Sequence, residues 1–184
     1  MVVSKYLNPN TIRSVKLVSS TAIEQTVISS LQATGASYQI IDIDPKYADT
    51  LEFCKQYDYR VEECGNTIIV RSKRGEKKFS ACGVRGSDRL DVNRKVQALM
   101  QVSRLSFASS DETRELTGME IGGVTPFDLP NDIVIYVDAK VMQLDSVILG
   151  SGSRSSKIKV APSVFEQLLN TEIIEGLSLS PEPG

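Results

Sequence analysis

Apolar and polar residues alternate with two different periods along this chain, and each period predicts its own kind of element. Near the N-terminus, Thr21-Ala-Ile-Glu24 has the form of a capping box. An apolar face follows at helical spacing, formed by Ile23, Val27, Ile28 and Leu31. Gly35 ends this predicted helix. A second capping box, Ser163-Val-Phe-Glu166, predicts another helix that continues through Leu169.

Strand-like segments fill much of the remaining chain. Residues 67–70 and 78–84 predict a β-hairpin around Gly75. Further strands are predicted at residues 38–43, 133–137, 146–149 and 157–160. Further helices are predicted near residues 47–56, at 92–99, and from Ser109 or Ser110 to Gly118. The first twenty residues are expected to form a peripheral arm and residues 178–184 a frayed tail. The pattern predicts one domain, residues 1–184, of the α/β or α+β class.

Composition agrees with a folded domain of ordinary size. The chain has 184 residues, of which 41% are hydrophobic and 24% charged, close to globular averages. No apolar run approaches the ~18 residues of a membrane span, and the N-terminal MVVSKYLNPN lacks the apolar stretch of a secretory signal. The three cysteines are an odd number without paired spacing. They fit a reducing compartment, so we expect a cytoplasmic protein.

The sequence contains no histidine. This excludes Ser-His-Asp and Cys-His catalysis and any histidine-based zinc site, and three scattered thiols are too few for a Cys₄ site. We therefore expect no metal and no cofactor. A hydrolase of this composition would depend on a carboxylate, a lysine, water or the substrate itself, assisted by backbone donors.

Charge is distributed unevenly. Between Arg71 and Arg104 there are ten basic and three acidic residues, a net charge of +7, so the rest of the chain carries −9 of the overall −2. Four of these residues form the predicted hairpin tip and are called the hairpin cations: Lys73, Arg74, Lys77 and Lys78. They predict either a solvated turn or a contact with a phosphate backbone. Aromatic residues are too few to indicate sequence-specific RNA readout.

A glycine-rich segment follows the predicted helix that ends at Gly118. Gly122 and Gly123 are followed by Pro126, which fixes its own φ angle. Paired glycines allow amide N–H groups to converge on an anion or a carbonyl oxygen. The same spacing also suits a tight connection between a helix and a strand.

This segment resembles the Gly-x-x-x-Pro loop of the YbaK/prolyl-tRNA-synthetase-associated editing domain family, with Gly122 and Pro126 at its two ends. Residues 133–138 resemble the family's strand ending in Asp, and residues 147–152 resemble its next strand and glycine turn. The similarity covers roughly residues 64–169. It implies a mostly antiparallel, barrel-like sheet flanked by helices, and a domain that hydrolyses amino acids wrongly attached to tRNA.

One position departs from the family pattern. Many members carry a pocket lysine just before the strand that residues 67–70 resemble, and here that position is Asn66. Asparagine donates and accepts hydrogen bonds but carries no charge. Either Asn66 binds substrate in a variant enzyme, or the domain retains binding without catalysis, or Asn66 is only a turn residue.

The resemblance implies a set of site residues. The amides of Gly122 and Gly123 would hold an ester carbonyl, with Asn66 orienting the ribose, the aminoacyl group or water. The hairpin cations would contact tRNA, and Arg154 or Lys157 would lie near phosphate. The remaining candidates for the substrate pocket are Thr117, Thr125, Pro126, Asp138, Gly150, Ser151 and Gly152. Asp138 is also typical of a structural acceptor at a strand end. Residues 150–152 are also typical of an ordinary hairpin turn.

Three other functions are compatible with the residues. A silent module could capture aminoacyl-tRNA or a synthetase, and a sensor could bind free amino acid. A reactive cysteine is the third, since Cys64 lies close to Asn66 and Cys82 lies on the predicted partner strand. We favour the alternative that these are buried structural thiols.

Overall fold

The structure is a computed structural model that describes residues 21–181. Its strands, in chain order, are β1 (Tyr38–Asp42), β2 (Gly65–Ser72), β3 (Phe79–Arg85), β4 (Arg89–Leu90), β5 (Leu105–Phe107), β6 (Val134–Asp138), β7 (Val147–Gly150), β8 (Ser156–Val160), β9 (Thr171–Ile174) and β10 (Ser178–Leu179). The predicted arm, residues 1–20, lies outside the described residues.

The strands form a five-stranded sheet in the order β5-β2-β3-β6-β9, a three-stranded sheet in the order β1-β8-β7, and the short pair β4-β10. Strand β6 runs parallel to β3 and β9, and the other pairs are antiparallel. A bridge between Cys64 and Ile148 connects the two larger sheets. The predicted fold class, a mixed and mostly antiparallel sheet flanked by helices, is confirmed.

The α-helices are α1 (Ala22–Ala33), α2 (Thr50–Tyr57), α3 (Gln97–Met100), α4 (Ser110–Thr117) and α5 (Ala139–Met142). A π-helix at Val92–Val96 runs into α3, and 3₁₀-helices occupy Pro45–Tyr47, Val61–Glu63 and Pro162–Gln167.

Local capping signals explain the first and fourth helices. Thr21 and Glu24 form the predicted capping box of α1, in which the Thr21 amide donates to the Glu24 carboxylate at 2.8 Å. Ser109 forms a second box with Glu112 at the start of α4. Gly118 ends α4 with a φ angle of 71°, which a residue without Cβ adopts at little cost.

The predicted capping box at Ser163 is wrong. Ala161 precedes the helical turn and Pro162 occupies its first position, without a capping hydrogen bond from a side chain. Proline favours a first helical position because its missing N–H would have no partner there. The segment stays a 3₁₀-helix of six residues, and Leu168 is already extended.

The C-terminal end of the fold also differs from expectation. Residues 178–184 were predicted to fray, yet Ser178 and Leu179 pair with β4 and Ser178 is buried. The buried Asp138 carboxylate accepts a hydrogen bond from the Ser178 amide at 2.6 Å. A buried side chain far away in the sequence therefore anchors the start of this segment.

Three apolar clusters fill the molecule. One packs between the two larger sheets and α1, with Leu31, Phe127 and Ile158 fully buried. A second covers the other face of the five-stranded sheet beneath α3. The third lies under α2, where Phe53 packs over the outer face of the three-stranded sheet. That face is therefore covered, which determines the environment of Lys157 on β8. Within residues 21–181, no helix has the length and apolar character needed to span a bilayer.

Candidate active site

A cleft of about 290 Å³ opens along the outer edge of β2, and we call it the β2 cleft. It is lined by Asp49, Thr50, Gly65, Asn66, Thr67, Ile68, Ile69, Phe107, Ala108, Thr113, Ile121, Gly122, Val124, Gly150 and Lys157.

The cleft exists because β2 lacks a neighbour over part of its length. The three-stranded sheet touches this edge at Cys64, and β5 pairs with it only from Val70 to Ser72. Ile69 directs its carbonyl outward, where it accepts from the Ala108 amide at 2.9 Å. Backbone groups alternate sides along a strand, so Thr67 presents its N–H and C=O to the open gap. The floor of the cleft is thus a piece of backbone that has no strand partner on this side within residues 21–181.

The Thr67 side chain adds a polar group to this floor. Its hydroxyl is buried and has no hydrogen-bond partner within residues 21–181. Buried polar atoms are rarely left without a partner. A ligand or water in the cleft would satisfy this one.

The glycine turn forms the opposite wall. The Gly123 amide donates to the Glu120 carbonyl at 2.8 Å, and Gly122 has a φ angle of +91°. This geometry matches a type II turn with glycine at its third position. A side chain at Gly122 would overlap the Arg154 guanidinium.

Two basic side chains hold this turn. Arg154 donates to the Ile121 carbonyl at 2.8 Å, and Lys157 donates to the Gly122 carbonyl at 2.7 Å. In a trans peptide the N–H points opposite to the C=O, so the Gly122 amide points away from Arg154. No group in the described part of the chain accepts a hydrogen bond from that amide. It is an available donor on a residue that lines the cleft.

The same two side chains reach the segment before α2. Arg154 donates to the Pro45 carbonyl at 3.2 Å and pairs with the Asp49 carboxylate at 3.3 Å. Lys157 donates to the Ala48 carbonyl at 2.6 Å. Both residues therefore join the glycine turn to residues 45–49, and so fix the spacing between two walls of the cleft.

Asn66 lies where β2 enters the cleft. Its carboxamide oxygen accepts a hydrogen bond from the Thr50 hydroxyl at 2.6 Å. This contact orients the side chain, and no described residue accepts from its NH₂ group. Asn66 therefore has two N–H donors to offer a ligand.

Four predicted site residues line the cleft together: Asn66, Gly122, Gly150 and Lys157. Gly123 is close by, but its N–H is used in the turn and its carbonyl accepts from the Gly152 amide at 2.7 Å. The role predicted for the Gly123 amide as an oxyanion donor is therefore not supported. Only Gly122 keeps an amide for that purpose.

The other predicted pocket residues lie outside the β2 cleft. The hydroxyls of Thr117 and Ser151 are used in the fold, whereas the buried Thr125 hydroxyl has no hydrogen-bond partner within residues 21–181. The Thr117 hydroxyl donates to the Thr113 carbonyl at 2.7 Å. Ser151 donates to the Ser156 carbonyl at 2.9 Å. Thr125 is fully buried, and Pro126 lines a separate cleft beside Leu129.

Asp138 and Gly152 have structural positions as well. Asp138 caps α5 by accepting from the Lys140 amide at 2.8 Å, and it is fully buried. It therefore acts as the structural acceptor that the sequence allowed. Gly152 has a φ angle of +93° and packs against α1 at Ile23 and Val27, away from the cleft.

The cysteines do not form a nucleophilic site. Cys64 lies next to Cys54, with their Sγ atoms 3.5 Å apart, whereas Cys82 pairs with Ile68 farther along the hairpin. Burial raises the pKa of Cys54 and Cys64, and raises the pKa of Cys82 to about 12. Protonated thiols are poor nucleophiles. Within residues 21–181, no cluster of cysteine and acidic side chains could hold a metal ion.

The hairpin cations are exposed at the turn between β2 and β3. Lys77 pairs with Glu112 at 3.4 Å, and Lys78 lies 4.0 Å from Glu76. The Lys73 amide donates to the Arg104 carbonyl at 2.9 Å, so the exposed Arg104 extends this basic surface.

Sequence reasoning missed several lining residues, among them Asp49, Thr50, Thr67, Phe107 and Ile121. Phe107 and Ile121 are 59% and 46% exposed, and they give the rim an apolar character. The one available signal was local: Ile121 directly precedes the glycine pair. Lys157 was expected near phosphate, and the structure places it in the wall of the cleft.

A mixed sheet whose open strand edge faces a glycine turn defines a domain that can hold a carbonyl-bearing ligand through its backbone. Comparison with known proteins identifies the family of this domain. The chain belongs to the aminoacyl-tRNA editing domain family, whose sequence model matches residues 44–168. This confirms the resemblance drawn from the glycine loop and the strands that follow it.

Individual relatives agree in sequence and in fold. The uncharacterised protein YwhH of Bacillus subtilis (strain 168) is 32% identical over an alignment of 116 residues, and this alignment covers 58% of this chain and 73% of YwhH. A crystal structure of a protein proposed to be a trans-editing enzyme for prolyl-tRNA synthetase superposes with a TM-score of 0.72 at 20% identity, covering 85% of this chain and 98% of that one. The hypothetical protein APE2540 superposes with a TM-score of 0.73 at 24% identity, covering 84% and 99%.

Proposed function

We propose that this protein is an aminoacyl-tRNA deacylase that acts in trans and hydrolyses the ester of a mischarged tRNA. One observation carries the proposal: every described residue that lines the β2 cleft lies within residues 44–168, the segment that matches the editing family. The β2 cleft therefore lies entirely within the segment that matches the family.

The chemistry requires little beyond positioned donors, because an aminoacyl ester is already reactive. The Gly122 amide would bind the ester carbonyl oxygen and the negative charge that develops on it. Removal of one such donor typically costs about 10²–10³ in kcat. The unpaired Thr67 amide and the NH₂ group of Asn66 would orient the terminal ribose or the attacking water.

The size of the cleft favours a small aminoacyl group. Its volume of about 290 Å³ lies at the lower end of the roughly 300–1,000 Å³ of most ligand sites. Alanine and residues of similar size would fit beside the ribose. The solved neighbour proposed to edit for prolyl-tRNA synthetase makes tRNA for proline the first substrate to test, and that synthetase a candidate partner.

A continuous path leads from the cleft to the basic surface. Phe107 lies on the rim and pairs with Val70 of β2. Two residues farther along β2, Ser72 pairs with Leu105, and Arg104 and Lys73 follow at once. At about 3.3 Å per residue, the distance from Phe107 to Lys73 is roughly 10 Å. The tRNA end would stack a base on Phe107 and place phosphates near Arg104 and the hairpin cations.

A silent binding module is the second candidate. Asp49 is the only carboxylate among the described lining residues, and its ion pair with Arg154 occupies it. A cleft without a free carboxylate base could hold an aminoacyl-tRNA, or a synthetase, without hydrolysing the ester.

A deacylation assay with several mischarged tRNAs separates these two functions. The panel should carry alanine, cysteine and proline on tRNA for proline and on tRNA for cysteine. We expect multiple turnovers by the wild type and a clear loss in Asn66→Ala, with the exposed Asn93→Ala as matched control. Retained tRNA binding without turnover on any substrate would favour the silent module.

A further inference from the structure

Lys157 is an unusual residue for its position on β8. Only 6% of its surface is exposed, and it is the only basic residue among the described residues that line the β2 cleft. Strand alternation places Lys157 and Lys159 on the same face, which the sequence alone would assign to solvent. The third apolar cluster covers that face, so the ammonium group is buried.

The hydrogen bonds of this group are incomplete. Its Nζ atom donates to the Ala48 carbonyl at 2.6 Å and to the Gly122 carbonyl at 2.7 Å. The Phe53 ring centroid lies 5.8 Å away. A lysine ammonium has three N–H donors, and no third acceptor exists for it within residues 21–181. Burial of a charge with an unused donor is costly, unless a ligand completes the site.

The surroundings keep the group charged at neutral pH while weakening its hold on the proton. Burial lowers the pKa of Lys157 to about 8, with a smaller effect in the same direction from Arg154. The Asp49 carboxylate acts in the opposite direction. A weakly solvated ammonium group favours an incoming negative charge more strongly than a hydrated one does.

The free donor and the Gly122 amide can reach one atom. Nζ lies 2.7 Å from the Gly122 carbonyl oxygen, and backbone bond lengths place the Gly122 nitrogen within roughly 6 Å of Nζ. Two donors no more than roughly 6 Å apart can both lie about 3 Å from a shared oxygen, as the donors of an oxyanion site do.

We propose that Lys157 is a catalytic residue that binds the oxyanion of the tetrahedral intermediate together with the Gly122 amide. This assignment rests on the proposed deacylase function. Water attacks the ester carbon and gives up one proton to solvent, and the C=O electron pair moves to the oxygen held by the two donors. The C=O bond then re-forms, the bond to the ribose 3′ oxygen breaks, and that oxygen takes a proton from solvent. Lys157 keeps its proton throughout.

Binding of two adenosine derivatives tests the assignment without requiring turnover. The first is adenosine with a 1-aminoethylphosphonate ester on its 3′ oxygen, a tetrahedral anion. The second is 3′-alanylamido-3′-deoxyadenosine, whose amide is planar and uncharged where the first carries its tetrahedral anion; both analogues carry an α-amino group. Both are titrated into the wild type, Lys157→Met and Lys159→Met. Lys159 lies on the same strand and face, 5.9 Å from the Tyr59 ring, and does not line the cleft.

We expect Lys157→Met to raise the Kd of the phosphonate by about 10²–10³, the usual effect of one oxyanion donor, and to leave the Kd of the amide within about threefold. Lys159→Met should change neither. In the wild type, the Kd of the phosphonate should rise as the pH increases above about 8, because Lys157 then loses its proton. Lys157→Met should lack this contribution to the pH dependence.

Equal weakening of both analogues would overturn the assignment, because it would show that Lys157 only supports the walls of the cleft. A wild type that does not prefer the phosphonate would overturn it too. Failure of the proposed function has a different signature, which is absence of deacylation by the wild type. If the wild type shows no deacylation but binds the phosphonate and loses this binding in Lys157→Met, the result would still support an anion site at Lys157.

Discussion

The buried ammonium group of Lys157 should impose a pH dependence on stability whose size follows from its environment. Burial lowers its folded-state pKa from 10.5 to about 8. Between these two values the unfolded chain retains a proton that the folded protein has released, so the free energy of unfolding rises with pH over this interval. At 1.36 kcal/mol per pKa unit, the full rise is about 3 kcal/mol.

Urea unfolding between pH 7 and pH 10.5 measures this effect. Other groups titrate in the same range, so the useful quantity is the difference in unfolding free energy between the wild type and Lys157→Met. We expect this difference to shift in favour of the wild type by about 3 kcal/mol from pH 7 to pH 10.5, with most of the change above pH 8. Lys159→Met serves as the control and should follow the wild type.

Parallel curves for the wild type and Lys157→Met would refute the reasoning. They would mean that the ammonium group keeps its solvation in the folded protein, and that Lys157 is not enclosed by Phe53 and the walls of the cleft. A shift of the opposite sign would mean that the folded protein holds this proton more tightly than the unfolded chain does.

Three further predictions concern the site. Gly122→Ala should abolish deacylation and cost more than the about 1–2 kcal/mol of left-handed strain, because its Cβ also displaces the Arg154 guanidinium. Gly35→Ala, also with positive φ but with nothing within 4 Å, should cost only that strain and keep full activity; activity in both would exclude the glycine turn from the site. Replacing the four hairpin cations with serine should reduce the slope of log K against log salt for tRNA binding by about 2–3, and an unchanged slope would mean a solvated tip. Phe107→Ala should raise the KM for aminoacyl-tRNA by about 5–150-fold through a lost base stack, without loss of stability. Leu169→Ala, at a more exposed apolar residue, should leave this KM unchanged; a KM of Phe107→Ala equal to that of the wild type would place the base elsewhere.

Much of the fold was predictable wherever the signal is local. The capping boxes of α1 and α4 and the glycine end of α4 depend on residues only a few positions apart. The hairpin of β2 and β3 follows from alternation around one turn. Strands β4, β5, β9 and β10 were missed, because each has only two to four residues and exists through pairing with distant segments.

The sequence by itself determined most of the longer helices and strands, the absence of histidine chemistry, the glycine turn and the family. Tertiary structure alone decided which of these groups can act. The gap beside β2 arises because two distant strands stop short of each other, so no local pattern contains it. Gly123 loses its role as donor to a hydrogen bond with Glu120. Lys157, whose alternation predicts a solvated side chain, becomes a buried cation because α2 covers its face of the sheet. Burial and charge environment depend on what packs above a residue, and that is set by the whole chain.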